Sequence, residues 1–119
     1  MKENITSTKA VAFAIKIVHL YKELVNEQKE YVLSKQLLRS GTAIGALIRE
    51  AEQAESKTDF LHKMNVALKE ANESGYWLFL LHEGKWLNNE TFSSFNNDCV
   101  ELVKLLASTV KTTKANLGK

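Results

Sequence analysis

Apolar residues recur every three to four positions along four stretches of the chain, and this spacing is typical of amphipathic helices. The predicted helices cover about 7–25, about 32–54, the segment from 57 to about 82, and the segment from 89 or 91 to about 113. No stretch alternates as a half-buried strand does. Four helices of about 20 residues with short connections predict an all-α, up-down-up-down antiparallel four-helix bundle, with residues 1–119 as a single domain.

Two local signals place the ends of the third helix. Ser56 stands three residues before Asp59, which resembles a capping box with aspartate in place of glutamate. Gly84 follows the last apolar position, and glycine readily adopts the positive φ that ends many helices. We therefore expect this helix to start just after Ser56 and to end at Gly84 with a positive φ.

The first helix is apolar around an arc of about 220°, whereas the fourth has a stripe of about 100° that suits a single core contact. The first helix either packs between neighbours within the chain, or it is buried once in the bundle and once against another subunit. The second explanation is favoured because every helix of a four-helix bundle has an outward side. It predicts an oligomer interface formed by Val11, Ile15, Val18, Tyr21 and Val25.

Gly41 and Gly45 give the second helix a small-xxx-small spacing. Each glycine weakens a helix by about 1 kcal/mol relative to alanine. The charged residues Arg39, Arg49 and Glu50 flank the pair, so close packing within a soluble bundle is preferred over dimerisation in a membrane. We expect the two glycines to let another backbone approach closely.

Charged residues flank the second and third helices, and an antiparallel hairpin would bring some of them together. Arg39 is then level with position 72, between Glu70 and Glu73. Glu50 is level with position 61, near His62 and Lys63. These residues either form structural ion pairs across the helices, or they are solvated surface charges worth about 0–1 kcal/mol per pair. A catalytic role is the least favoured.

The composition narrows the class of protein without indicating a reaction. Apolar residues make up 45% of the chain and charged residues 25%, the balance of an ordinary globular domain. No apolar run is long enough to cross a membrane, and the first residues lack the apolar core of a signal peptide. We expect a cytoplasmic protein without a membrane contact.

The single cysteine, Cys99, excludes an internal disulfide, and its place in the apolar stripe of the fourth helix predicts a buried side chain.

Metal and nucleophile chemistry is poorly supported by the sequence. Di-metal sites in four-helix bundles need inward glutamates and two Glu-x-x-His motifs. This chain offers Asp59 with His62, and Glu70 with Glu73, at that spacing. No glycine-rich segment precedes a lysine as in a phosphate loop. The sequence therefore predicts no catalytic, metal-binding or cofactor-binding residue, and no cofactor.

Lysines are the candidate contacts to nucleic acid. The net charge is only +2, and no run of five basic residues occurs. Lys9 and Lys16 share the polar side of the first helix, and Lys104 and Lys111 share that of the fourth. In one subunit this is a weak signal, but a ring of subunits would repeat each lysine and strengthen the field.

Aromatic residues cluster between positions 76 and 86. Exposed aromatic side chains stack on bases in proteins that bind single strands. At helical spacing, however, aromatics more often pack against the protein itself. We therefore expect Tyr76, Trp77, Phe79 and Trp86 to pack rather than to stack on bases.

Segments of the second and third helices resemble a bacterial family. The distinctive combination is Arg39-Ser40 with Glu50 in the second helix and Glu70-x-x-Glu73 in the third. The matching positions are Gln36, Leu37, Leu38, Arg39, Ser40, Ile44, Ile48, Glu50, Phe60, Met64, Glu70, Glu73 and Trp77. They resemble the bacterial four-helix bundle proteins, also called the ribosomal intervening-sequence or S23 family, over about 5–106.

The resemblance implies an all-α bundle without an established enzymatic activity. Members of the family tend to assemble as barrel-like homopentamers, and they are encoded within intervening sequences of ribosomal RNA genes or free-standing. A related group, the accessory variability proteins of diversity-generating retroelements, binds nucleic acid and a reverse transcriptase. The chain departs from the family at Ala43, Gly45 and Leu47, where serine, proline or a small residue, and asparagine are common.

Three functions follow as hypotheses. The first is a non-enzymatic homo-oligomer, pentameric by resemblance, that binds RNA or DNA, or a nucleic-acid enzyme, through repeated lysines. The second is a protein-interaction or structural scaffold without a nucleic-acid role, acting through the outer apolar side of the first helix. The third, and least favoured, is a metal-dependent enzyme. Salt separates the first two, because binding to nucleic acid falls steeply with salt and apolar assembly does not.

Overall fold

A computed structural model describes residues 4–118, and most of them lie in four α-helices. Helix α1 covers Ile5–Asn26, α2 covers Leu33–Glu52, α3 covers Lys57–Glu83 and α4 covers Asn89–Leu117. No strand occurs between residues 4 and 118, and the predicted all-α class is confirmed. The largest difference in length is in α4, which continues to Leu117 rather than ending near position 113.

The helices form an elongated bundle of about 51 × 24 × 21 Å. Each helix packs against the next one along the chain, and α1 also meets α4, so that the four helices close into a ring. The predicted up-down-up-down arrangement is therefore confirmed. The contact between α1 and α4 is the least extensive of the four. None of the helices within residues 4–118 is long and apolar enough to span a membrane.

The core is built from the inward side of each helix, at the spacing that the apolar pattern predicts. Its largest fully buried apolar side chains are Phe13, Ile17, Leu24, Leu37, Ile44, Ile48, Leu78, Leu81, Leu102 and Leu106.

Cys99 is also buried, as predicted, and its thiol donates a hydrogen bond to the carbonyl oxygen of Ala71 at 3.1 Å. Burial and the neighbouring Asp98 raise the pKa of this thiol to about 11, which keeps it protonated and unreactive.

The sequence signals describe the start of α3 correctly but not its end. At its start, Ser56 accepts a hydrogen bond from the Asp59 amide at 3.1 Å, as a helix cap does. At its end, the prediction of a positive φ at Gly84 is wrong, because Gly84 has φ −79° and the positive φ of 76° belongs to Lys85. Glycine is needed at position 84 for space. A Cβ there would overlap with the ring of Trp86.

A buried glutamate that the sequence pattern does not single out starts α2. The Glu30 carboxylate accepts hydrogen bonds from the amides of Val32, Leu33 and Ser34, at 3.1, 2.9 and 2.6 Å. Burial raises the pKa of Glu30, but these backbone hydrogen bonds outweigh it, so the pKa lies below its ordinary value. Glu30 thereby satisfies the free amides at the N-terminus of α2 that no helical carbonyl reaches.

The two glycines of α2 face α1, although not in the way predicted. A Cβ on Gly41 would lie 3.0 Å from the side chain of Ile17, so the close neighbour is a side chain rather than backbone. A Cβ on Gly45 would lie 3.8 Å from the backbone of Ala10, which is an ordinary contact distance. Only Gly41 is therefore a position where the packing of α1 requires a missing side chain.

Candidate interaction surfaces

A groove of about 910 Å³ runs between α1 and α2 on the outside of the bundle. Its α1 wall is apolar and contains Val11, Ala14, Ile15 and Val18, while α2 contributes small residues such as Gly45. Val11 is 36% exposed and Ile15 is 54% exposed. The explanation that α1 hides its whole apolar arc within the chain is therefore wrong at these two positions.

The other members of the predicted oligomer interface are less open. Val18, Tyr21 and Val25 are half-buried. Their exposed portions continue the apolar side of α1 toward its C-terminal end, beyond the exposed Val11 and Ile15. The predicted interface thus has an exposed N-terminal half and a partly covered C-terminal half.

Charged residues surround one end of the groove. Lys63 donates a hydrogen bond to Glu50 at 3.1 Å, so the structure brings these two residues of the sequence analysis together. Arg49 and Asp59 also line this end of the groove. The groove thus combines an apolar wall with a charged end.

Arg39 bridges both of the glutamates that the register places beside it. Its Nη1 lies 3.2 Å from Glu70 Oε1, and its Nη2 donates a short hydrogen bond to Glu73. The Trp77 indole donates a second hydrogen bond to Glu73 at 3.0 Å. The hydrogen bonds from Trp77 and Arg39 hold the pKa of Glu73 below its ordinary value, and the hydrogen bond to Glu73 raises the pKa of Arg39. Arg39 is half exposed, so the network is a partly solvated clamp between α2 and α3.

Below this clamp lies a buried polar contact that the sequence analysis missed. The hydroxyl oxygens of Ser40 and Ser74 are 2.8 Å apart and share a hydrogen bond, and Ser74 also donates to the carbonyl oxygen of Glu70 at 2.9 Å. Both serines are fully buried. Small residues at matching levels of two helices are the only sign of such a contact in a sequence, and they are common for other reasons.

The four candidate lysines fall into two pairs with different surroundings. Lys9 lies 3.2 Å from Glu101, and Lys16 lies 2.6 Å from Asp98. These ion pairs count against a role for Lys9 and Lys16 in binding nucleic acid, because a phosphate would have to compete with a carboxylate that is already in place. The role remains a prediction for all four lysines.

Lys104 and Lys111 are exposed, and neither forms an ion pair with any residue between 4 and 118. They lie on α4, one after the other along its outer side. Their charges are therefore available to an anionic partner.

The aromatic residues of α3 are only partly packed. Trp77 and Trp86 are half-buried and contact the core, as expected. Tyr76 is 55% exposed and Phe79 is 50% exposed, so the prediction that all four aromatics pack is wrong for these two. The physical reason is that α3 turns these two positions away from the core, which is already filled by Leu78 and Leu81.

No group of three or more histidine, cysteine, aspartate or glutamate side chains in the described part of the chain is arranged to hold a metal ion. His82, near the end of α3, contacts Asn89 at 2.7 Å and stacks on Phe92. Asp59 lines the groove, and its carboxylate accepts a hydrogen bond from the Glu55 amide at 3.4 Å. Asp59 and His82 thus both have hydrogen-bond partners within the chain.

Comparison with known proteins identifies relatives along almost the whole chain. The family model described as 23S rRNA-intervening sequence protein matches residues 2–108. A crystal structure of a protein of unknown function from the S23 ribosomal protein family of Bacteroides thetaiotaomicron is 58% identical in sequence. The match covers 90% of this chain and 99% of that chain, with a TM-score of 0.89. None of the curated proteins matches the chain.

Proposed function

The chain belongs to the 23S rRNA-intervening sequence protein family, and we propose on that premise that it assembles with copies of itself and that the assembly binds RNA without catalysing a reaction. The observation that carries the proposal is the exposed apolar wall of the groove between α1 and α2. The relative of known structure is described as a protein of unknown function, and its family name refers to the ribosome. The family name of the matching model refers to ribosomal RNA.

The assembly part rests on the exposure of α1. Val11 and Ile15 expose apolar surface beside small residues of α2, and contiguous exposed apolar surface typically marks an interface. A helix of a second copy fits such a groove because small residues let its backbone approach. The homopentamer expected from the family resemblance is one form of this assembly.

The RNA part rests on charge. Lys104 and Lys111 are exposed and unpaired within the described residues, and an oligomer would repeat both in every subunit. The ion pairs of Lys9 and Lys16 favour the second candidate, which is an interaction scaffold without a nucleic-acid role. The two candidates share the assembly and differ only in whether RNA binds.

The assembly is tested by placing charges in the groove. The double substitution Val11→Asp and Ile15→Asp should convert the oligomer into a monomer, as measured by analytical ultracentrifugation, because a carboxylate buried without a partner is costly. Val100→Asp is a matched control, since Val100 is a valine on α4 that is 42% exposed. A monomeric wild-type protein at about 100 μM, or an unchanged oligomer in the double variant, would overturn the assembly.

The RNA part is tested by titrating the wild-type protein against a structured RNA from about 50 to 200 mM salt. Binding with a slope that corresponds to several released counterions supports RNA binding. No binding at the lowest salt would overturn it and leave the scaffold as the function.

A further inference from the structure

The acidic residues of α3 and α4 lie on particular sides of these helices. Glu70 and Glu73 lie on the α2 side of α3, where both bind Arg39. Asp98 and Glu101 lie on the α1 side of α4, where each binds a lysine of α1. The other acidic residues of the two helices are in a first or last turn. The central part of the outer face shared by α3 and α4 is therefore free of carboxylates.

Lysines occupy the C-terminal half of the same face. After Glu101 the chain contains no acidic residue, and α4 carries Lys104, Lys111 and Lys114, all of them exposed. On a helical wheel, Lys104 and Lys111 lie about 120° to 140° from Cys99, which faces the core. They lie about 60° to 140° from the two acidic residues that mark the α1 side. They are seven residues apart, which is nearly two turns, so they follow one another along the outer face.

Aromatic residues occupy the other half of this face. A Cβ on Gly75 would lie 3.6 Å from the Cys99 sulfur, so Gly75 faces α4. Phe79 follows Gly75 by four residues, about one turn, and therefore lies on the α4 side of α3. Tyr76 lies one turn before Phe79, and both rings are at least half exposed. On α4, the exposed Val100 lies between these aromatics and Lys104.

We propose that the outer face of α3 and α4 binds single-stranded RNA, with Lys104 and Lys111 contacting phosphates and Tyr76 and Phe79 stacking on bases. The proposal rests on the RNA binding proposed above, and it names the surface and the form of RNA. From Phe79 to the level of Lys111 the face is about 24 Å long at 1.5 Å per residue, which is enough for several nucleotides.

Single strands are favoured over duplexes because of the aromatics. A base offers its face to a side chain only when it is unpaired or unstacked, and sequence-tolerant binders of single strands combine lysines with exposed aromatic rings. A duplex would use only the lysines. The face also lies on the opposite side of the bundle from the groove between α1 and α2, so assembly through the groove leaves it open.

The test compares two RNAs and three variants by fluorescence anisotropy. The probes are a single-stranded RNA of about 15 nucleotides containing only C and A, and a duplex of the same length. The double variant Lys104→Gln and Lys111→Gln should bind the single strand more weakly, with a salt slope reduced by about 1.4, since each phosphate contact on a single strand contributes about 0.7. The double variant Tyr76→Ala and Phe79→Ala should lose about 30-fold or more in affinity for the single strand with an unchanged slope.

The matched control is the double variant Lys22→Gln and Lys35→Gln, which removes two exposed lysines from α1 and α2. It should bind like the wild type. Tighter binding of the duplex than of the single strand, or unchanged binding by the two double variants on α3 and α4, would contradict the proposed surface. The proposal that the protein binds RNA would still hold. A wild-type protein that binds neither probe would overturn both.

Discussion

Two seams of the bundle carry ion pairs between helices, and they are built differently. Between α2 and α3, Arg39 bridges two glutamates above the buried hydrogen bond of Ser40 and Ser74. Between α1 and α4, Lys9 and Lys16 each bind one carboxylate across the least extensive contact in the ring. The first seam combines its ion pairs with a buried hydrogen bond, whereas each lysine of the second seam binds a single carboxylate.

The difference shows that the structural role of an ion pair depends on the buried contacts next to it. All the charged partners concerned are partly solvated, so each pair contributes little to stability by itself. Beneath Arg39, however, two buried hydroxyls meet at one level, and a shift of the helices would break the hydrogen bond between them. Four substitutions sharpen this contrast, and they are given from the largest expected effect to the smallest.

Ser74→Ala should cost about 1–2 kcal/mol in the free energy of unfolding, because it leaves the buried Ser40 hydroxyl with only the longer hydrogen bond to the Leu37 carbonyl, at 3.5 Å. Urea unfolding measures this cost. The double substitution with Ser40→Ala should cost less than the sum of the two single changes, since both partners are then absent. Additive costs would show that the two hydroxyls do not depend on each other.

Arg39→Ala should cost about 1 kcal/mol or less by the same measurement, because the guanidinium is half exposed. A fully buried pair would cost about 3 kcal/mol or more, which the exposure of Arg39 argues against. Arg49→Ala is the matched control on α2, since Arg49 forms no ion pair within residues 4–118 and should change stability by less. Equal costs at positions 39 and 49 would contradict the clamp.

Glu73→Gln should reduce the loss of stability on acidification. The folded-state pKa of Glu73 is lowered from 4.5, so its contribution is complete above that value and is lost as the pH falls through the folded pKa. Urea midpoints between about pH 6 and pH 3 should therefore fall less steeply in the variant. Glu30→Gln should flatten the same profile, because the pKa of Glu30 is also lowered. If the urea midpoint of Glu73→Gln falls with pH as steeply as that of the wild type, the Glu73 carboxylate does not contribute to the pH dependence of stability.

Lys16→Ala should have the smallest effect, about 0.5 kcal/mol, and the effect should decline with salt. Lys16 contacts Asp98 and also lies 4.5 Å from the centre of the Phe95 ring, so some of its contribution persists when the charges are screened. Lys22→Ala is the control on the same helix. A cost for Lys16→Ala above that of Arg39→Ala would reverse the contrast between the seams.

Periodicity and register together predict much of this structure. The four helices follow from the spacing of apolar residues, and Arg39 lies beside Glu70 and Glu73 because an antiparallel hairpin leaves little choice of level. The resemblance to the S23 family is confirmed by the match of residues 2–108. These features depend on a single helix or on two helices that follow each other in the sequence.

Features that depend on non-consecutive helices or on side-chain volume were not predictable. A wheel shows that Lys16 is on the polar side of α1, but not that α4 places Asp98 beside it. The exposure of Tyr76 depends on how the core is filled by other residues. The turn after α3 has its positive φ at Lys85, and the ring of Trp86 occupies the space beside Gly84.

The ring-like order of the helices also bears on how the chain folds. Neighbours in the sequence are neighbours in space, so most loops that must close are short and the chain should fold within microseconds to milliseconds. The chain contains no proline, which removes prolyl isomerisation as a source of slow phases. The contact between α1 and α4 closes the longest loop and is also the least extensive of the four. It should therefore be the last contact to form and the first to open.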